Sequence, residues 1–144
     1  MKTIRCHQIN DDISTISLDE VDIAPPAAGE VQIKVMACSV NFPDVLMIQG
    51  KYQFAPPLPF APGGEFAGEI VAVGSGVDQF SIGDRAVAGT RYGGFSELVN
   101  AEVGSVKPIP AGISFEKAAA YQTAYLTAYV ALIVRGGLKP GETL

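Results

Sequence analysis

The residues best placed to do chemistry gather in a glycine-rich stretch, Gly63-Gly64-Glu65-Phe66-Ala67-Gly68, followed by Gly74 and Val77 in a G-G-E-x-x-G-x5-G-x-x-V pattern. Its first ionisable member is Glu65. An imidazole at position 64 would make the stretch a zinc-ligand segment, but the glycine there has no side chain and holds nothing. A tetrahedral zinc site takes about three or four thiolate, imidazole or carboxylate ligands. One histidine, His7, and two scattered cysteines, Cys6 and Cys38, cannot supply that set. His7 reads as an ordinary strand residue. The chain also carries no G-x-G-x-x-G dinucleotide fingerprint of its own.

Composition narrows the scaffold that must position these groups. At 144 residues the chain is long enough to bury a core. Sixteen glycines and ten prolines favour short strands and turns over a helical bundle. A net charge of −5 with no Lys/Arg cluster argues against a nucleic-acid surface, which needs a basic stripe to neutralise phosphates. No apolar run reaches the roughly 18 uncharged residues of a bilayer span. Met1-Lys2-Thr3-Ile4-Arg5 lacks the apolar core of a secretory signal. The expectation is therefore a cytoplasmic protein with reduced thiols, and nothing in the context of Cys6 and Cys38 calls for a disulfide.

Glu30 to Ala37 alternates apolar and polar residues, the clearest half-buried strand. Weaker strands are expected at Lys2–His7, Ile13–Leu18 and Val21–Ala24. Further short strands are expected at Asp84–Ala88 and Phe95–Asn100, and a buried one at Phe66–Val73. Asn41-Phe42-Pro43-Asp44 reads as a helix start, with Asn41 at the cap, Pro43 in the first turn and Asp44 at the positive end of the dipole. Gly50 stops that helix. Phe54 to Pro62, with four prolines, is an extended loop, and Val103–Pro110 is extended. Ser114 caps a helical stretch from Phe115 to Arg135 that ends at Gly136-Gly137, with a break near Thr123 and Thr127. The fold class expected is mainly β with C-terminal helices. The closing Lys139-Pro140-Gly141-Glu142-Thr143-Leu144 reads as a turn into a strand, as if a longer protein continued.

In order along the chain, these segments resemble the medium-chain dehydrogenase/reductase superfamily, and most nearly its zinc-free NADPH:quinone oxidoreductase branch. The resemblance rests on Ser39-Val40-Asn41-Phe42-Pro43-Asp44, Gly50-Lys51-Tyr52, Pro59 through Glu65, Gly83-Asp84-Arg85-Ala86-Val87, Gly93-Gly94-Phe95-Ser96-Glu97 and Thr127-Ala128-Tyr129. It implies a GroES-like, partly open β-barrel over residues 1–110. It implies that 111–144 is a helical connection toward a Rossmann cofactor domain, before which this sequence is truncated. On that view most of the NADPH is held outside the chain, and the fragment alone is inactive.

In zinc members of the superfamily a cysteine stands where Asn41 is and a histidine where Gly64 is, and a cysteine lobe follows the Val87 region. Here Ala88-Gly89-Thr90-Arg91 runs straight to Tyr92-Gly93-Gly94 without a cysteine. Without that Lewis acid the reaction suits quinones and enones, which accept hydride at carbon and spread charge onto an oxygen that hydrogen bonds can stabilise. The resemblance assigns Asn41 and Tyr52 as catalytic, with Asn41, Phe42 and Thr127 binding the cofactor. Leu46 replaces a tyrosine of relatives and makes the pocket less polar. Asp44 and Glu65 match carboxylates beside the zinc of metal-dependent relatives. They read first as a helix-start acid and a buried, paired acid, and secondarily as a proton relay. Expected partners are a small quinone or enone and, for the full-length protein, a second copy in a homodimer. Two alternatives stand: an enoyl-thioester (acryloyl-CoA-like) reductase, and a non-enzymatic GroES-like interaction module.

Overall fold

A computed structural model describes residues 1–143. The expected start of a strand at Leu144 lies outside them. The centre is β3 (Glu30–Cys38), whose alternation turns Val31 and Ile33 fully inward and Lys34 outward. On one side β3 pairs antiparallel with β6 (Leu98–Glu102); on the other it pairs with β4 (Glu65–Val73). Next come β5 (Arg85–Gly89) and β7 (Val106–Pro108), giving the order β6-β3-β4-β5-β7. The sheet curls as a half-barrel around Val31, Ile33, Phe66, Ile70, Ala86 and Val99. Each large side chain buried this way contributes about 2 kcal/mol. A hairpin of β1 (Lys2–Cys6) and β2 (Ile16–Glu20) is tied on through single bridges Thr3↔Ser96 and Cys6↔Phe60. The molecule is mainly β with helices at the C-terminal end, as a GroES-like domain requires.

The glycine pattern has a steric cause. Between Val35 and Ala37 the β3–β4 register shifts, and Gly68 faces that irregularity. A Cβ on Gly68 would sit 1.9 Å from the Lys34 carbonyl oxygen. Only glycine lets the two strands approach there.

Helix α1 (Phe42–Ile48) begins where expected, with Asn41 at the N-cap and proline in the first turn. Its Met47 and Ile48 pack with Cys6 and Phe60 in a small cluster under the proline loop. Helix α2 (Phe115–Ala119) is capped by Ser114, whose Oγ accepts the Lys117 N–H at 3.3 Å. Its Ala118 and Ala119 pack on Ala67, Val87 and Ile109 of the outer barrel surface.

Several expectations are corrected. Val21–Ala24 is not a strand: the Ala24 carbonyl is held by side chains, Gln32 Nε2 at 3.3 Å and Asn100 Nδ2 at 3.0 Å, instead of by a ladder. Ile13–Thr15 is a single 3-10 turn, so β2 starts only at Ile16. Val103–Ser105 is likewise a 3-10 turn ahead of β7. His7 lies just past β1, at the surface, against Asp19 Oδ2 at 2.7 Å. The Phe115–Arg135 helix breaks at Ala120–Tyr121, earlier than Thr123. It resumes as a wide π-type turn Gln122–Leu126, α3 (Thr127–Tyr129) and a second π-type segment Val130–Arg135.

Replacing Gly68 by Ala is expected to cost about 3 kcal/mol, the overpacking penalty where backbone must move. Gly104, with nothing within 4 Å of its Cβ position, should tolerate Ala within about 0.5 kcal/mol. Denaturant midpoints of the two variants check the contrast.

Candidate active site

Two cavities meet at Gly64. The first, about 530 Å³, lies between the start of α1, the Tyr52–Phe54 loop and Thr90-Arg91. The second, about 770 Å³, lies between the Gly64–Glu65 and Gly89–Thr90 segments and the helical rod carrying Thr123 and Thr127. Gly64, Thr90 and Thr123 line both. A Cβ at Gly64 would stand 3.2 Å from the Thr90 carbonyl oxygen and 4.0 Å from Asp44 Oδ1. The glycine therefore keeps the wall between the cavities thin as well as free of a metal donor.

The expected site residues divide between these spaces. Asn41 and Tyr52 line the first cavity and Thr127 the second. Phe42 is 72% exposed and lines neither. Tyr52 is half-buried, packed against the Met47–Phe60 cluster as well as facing the cavity.

Two carboxylates are buried here, Asp44 at 2% and Glu65 at 1% exposure. The sequence reading expected Glu65 to be paired, and its partners are not cations. Its Oε1 accepts the Gln122 N–H, and its Oε2 accepts the Thr123 N–H and the Ser39 hydroxyl, both at 3.2 Å. This is helix capping by a residue distant in sequence. It satisfies amides that the new helix leaves without intrahelical partners and sets a negative charge at the positive end of the dipole. It also explains the early break: the barrel supplies the acceptor at Gln122, so the helix restarts there. Asp44 is satisfied in the same way, Oδ2 by the Asn41 N–H at 2.8 Å and Oδ1 by the Gly63 N–H at 3.0 Å. The first of these is the reciprocal half of a capping box.

From Glu65 a chain runs to the cavity. Ser39 Oγ donates to Glu65 Oε2, and Asn41 Nδ2 donates to Ser39 Oγ at 2.8 Å. One amide hydrogen of Asn41 is thus held, and the orientation of its amide plane with it. Sequence reasoning missed Ser39, Thr90, Arg91 and Thr123. Arg91 and Thr90 stood in a segment read only for its lack of cysteines. Nothing in local pattern places Thr123 against Glu65.

Both cysteines are free, Cys6 buried and Cys38 partly so. Cys38 Sγ donates to the Glu65 carbonyl at 3.1 Å. Burial first, then the negative charges of Asp44 and Glu65, push its thiol up to about 12 from an ordinary 9.0. Among the described residues, no group of three or more His, Cys, Asp or Glu side chains converges as metal ligands. No helix there is long and apolar enough to cross a membrane.

A half-barrel presenting such a cleft beside a helical rod is the architecture of a GroES-like domain. Residues 27–111 match the alcohol dehydrogenase GroES-like domain. The synaptic vesicle membrane protein VAT-1 homolog of Rattus norvegicus is 40% identical over 131 residues, covering 90% of this chain and 32% of that protein. The Escherichia coli quinone oxidoreductase, solved in complex with NADPH, superposes with a TM-score of 0.84 at 35% identity. That match covers 92% of this chain and 40% of the other. The CurK enoyl reductase superposes with a TM-score of 0.84 at 28% identity, covering 98% and 45%. The chain belongs to the medium-chain dehydrogenase/reductase superfamily through its GroES-like domain, within the quinone oxidoreductase branch. It spans about a third of the length of the curated relatives it matches.

Changing Glu65 to Gln should cost about 2 kcal/mol, since an amide donor then faces backbone donors in a buried place. Hydrogen exchange should speed up at the Gln122 and Thr123 amides. Cys38 should resist iodoacetamide at pH 8 far more than an exposed thiol. Its raised value means the folded state keeps a proton the unfolded chain loses. The associated stability is full below pH 9.0 and lost as pH rises toward about 12. A pH series of alkylation rates and melting points reads both effects.

Proposed function

We propose that this chain is the substrate-side domain of an NADPH-dependent, zinc-independent oxidoreductase that transfers hydride to quinones or conjugated enones in the cytoplasm. The observation that carries the reading is the junction at Gly64, where the Asn41–Tyr52 cavity adjoins the Thr127 cavity and the two nearby carboxylates, Asp44 and Glu65, are taken up by N–H and O–H donors. The second cavity fits a nicotinamide ring. Gly64 and Gly89 remove side chains from one wall, Leu126 and Val130 offer an apolar surface, and Thr123 and Thr127 supply small polar groups. Those residues would hold that ring, while the rest of the cofactor needs chain beyond this one. When bound, the cofactor supplies hydride to the electrophilic carbon.

This chain's residues act on the oxygen that gains charge. Asn41, its amide plane held through Ser39 and Glu65, offers a further amide hydrogen to the first cavity, and Tyr52 offers its phenol proton. A preorganised donor of this kind is worth about 3 kcal/mol. The apolar sides of Met47 and Phe54 exclude water around the ring. Alone, the chain presents one wall of the site and is expected to be inactive. The whole protein is proposed to work as a homodimer whose contacts come mainly from its remainder. A second reading, an enoyl-thioester reductase, draws support from the CurK likeness and uses the same donors for an enolate oxygen.

The complete protein should oxidise NADPH with a small quinone at a rate that EDTA does not alter. Asn41→Ala should lower kcat/KM about a hundredfold, the loss of one oxyanion donor. Inactivation by chelator would refute the zinc-free reading. Faster turnover of acryloyl-CoA than of any quinone would transfer the assignment to the second.

A further inference from the structure

Among the described residues Arg91 is the one cation in the wall of the first cavity. Nothing in the hydrogen-bond donor scheme above uses it. Its loop is firmly held. Thr90 N–H donates to the Gly64 carbonyl, Gly93 N–H to that of Ala61 and Gly94 N–H to that of Gly63, each at 2.8 Å. The Thr90 hydroxyl donates to the Tyr92 carbonyl at 3.0 Å. The side chain is held as well. Its guanidinium carbon lies 4.8 Å from the centroid of the Phe54 ring. Phe54 stacks on Tyr92 at 6.0 Å, and Tyr92 meets Phe60 edge-on at 6.4 Å. A stacked guanidinium keeps its planar fork of donors available at its rim.

Among the described residues that fork has no counter-ion. Among the described residues no carboxylate lies within ion-pair distance of Arg91, and the residue is exposed. The cavity's own acid, Asp44, is buried with both oxygens taken by backbone N–H groups. Among the described residues Arg5 reaches Asp19 at 3.9 Å and Arg85, stacked on Phe115, donates to the Ile113 carbonyl. Arg91 instead lies over Phe54, and it lines the substrate-side cavity together with Tyr52 and Gln53. A stacked guanidinium in a cleft can recognise an oxyanion such as a carboxylate or sulfonate through paired, charge-assisted hydrogen bonds.

The geometry points to Arg91 as a specificity-determining residue that selects electrophiles bearing an anionic substituent, a carboxylate or sulfonate set apart from the reacting carbonyl. This rests on the cavity being the quinone or enone site proposed above. The substituent lies toward Arg91 while the reacting carbonyl lies toward Asn41 and Tyr52. Neutral quinones fit the same cavity and leave the guanidinium solvated.

The test uses the complete protein with 1,2-naphthoquinone and its 4-sulfonate, comparing wild type, Arg91→Met and Arg91→Lys. Methionine keeps an apolar stem over Phe54, and lysine keeps the charge without the fork. The quantity read is the ratio of kcat/KM for the sulfonate to that for the neutral quinone, in which the intrinsic reactivity difference between the two quinones cancels across variants. The ratio should fall about five- to tenfold in Arg91→Met, mainly through KM of the sulfonate, and recover in part in Arg91→Lys. Raising ionic strength should shrink the wild-type ratio toward that of Arg91→Met. A ratio unchanged by Arg91→Met would overturn the inference. If wild type fails to reduce the neutral quinone, the functional reading falls instead. Calorimetric binding of 2-naphthalenesulfonate then decides the charge selection alone: a Kd raised about five- to tenfold in Arg91→Met supports it, and an unchanged Kd overturns it.

Discussion

The structure depends on one buried carboxylate. Glu65 opens β4, is almost fully removed from water, and accepts hydrogen bonds from three directions: the amides of Gln122 and Thr123 and the hydroxyl of Ser39. A charge in that position is costly unless every lone pair finds a donor. The barrel strand, the segment leading into α1 and the start of the C-terminal rod must therefore converge on it. Convergence at this point creates the junction between the cavities and orients Asn41 through Ser39. Asp44 repeats the device, fastening the first turn of α1 to the backbone of Gly63. Two acids that a charge-based reading would treat as proton carriers serve as acceptors that hold backbone in place.

Around this anchor the glycines divide the work by sterics. Gly68 allows β3 and β4 to approach at the register shift, and Gly64 keeps the wall between the cavities thin. The first concerns the barrel's closure and the second the site's chemistry, though both belong to one run in the sequence. The aromatic group Phe54, Tyr92 and Phe60 then ties the proline loop to the loop after β5. The far wall of the first cavity is thereby braced by ring packing, as the near one is by hydrogen bonds. Such rigidity is what an oxygen-stabilising site requires, because donors already in position need no rearrangement as charge develops.

Much was legible in the chain itself where the physics is local. The alternation of Glu30–Cys38, the Asn41–Asp44 helix start and the Ser114 cap each follow from neighbours a few residues apart, and each formed. The lack of a thiolate at position 41 and of an imidazole at position 64 was equally plain, since residue identity is the same in any fold. Where local propensity met a distant partner, the partner won. Val21–Ala24 has a β-like sequence yet is held by Gln32 and Asn100 side chains. The helix predicted to falter near Thr123 and Thr127 instead breaks at Ala120–Tyr121 and restarts at Gln122, where Glu65 takes the amides.

The sequence by itself thus determined the β-rich class, the superfamily and a donor set unsuited to zinc, because residue identity and short-range spacing carry those. Only the tertiary structure decided which groups share a cavity. It separated exposed Phe42 from both spaces, joined Asn41 to Glu65 through Ser39, and set Arg91 over Phe54 with no counter-ion among the described residues. The reason is that these relations link residues far apart in the chain. Their free energy comes from desolvating charge and packing rings, and it exists only once the barrel has closed.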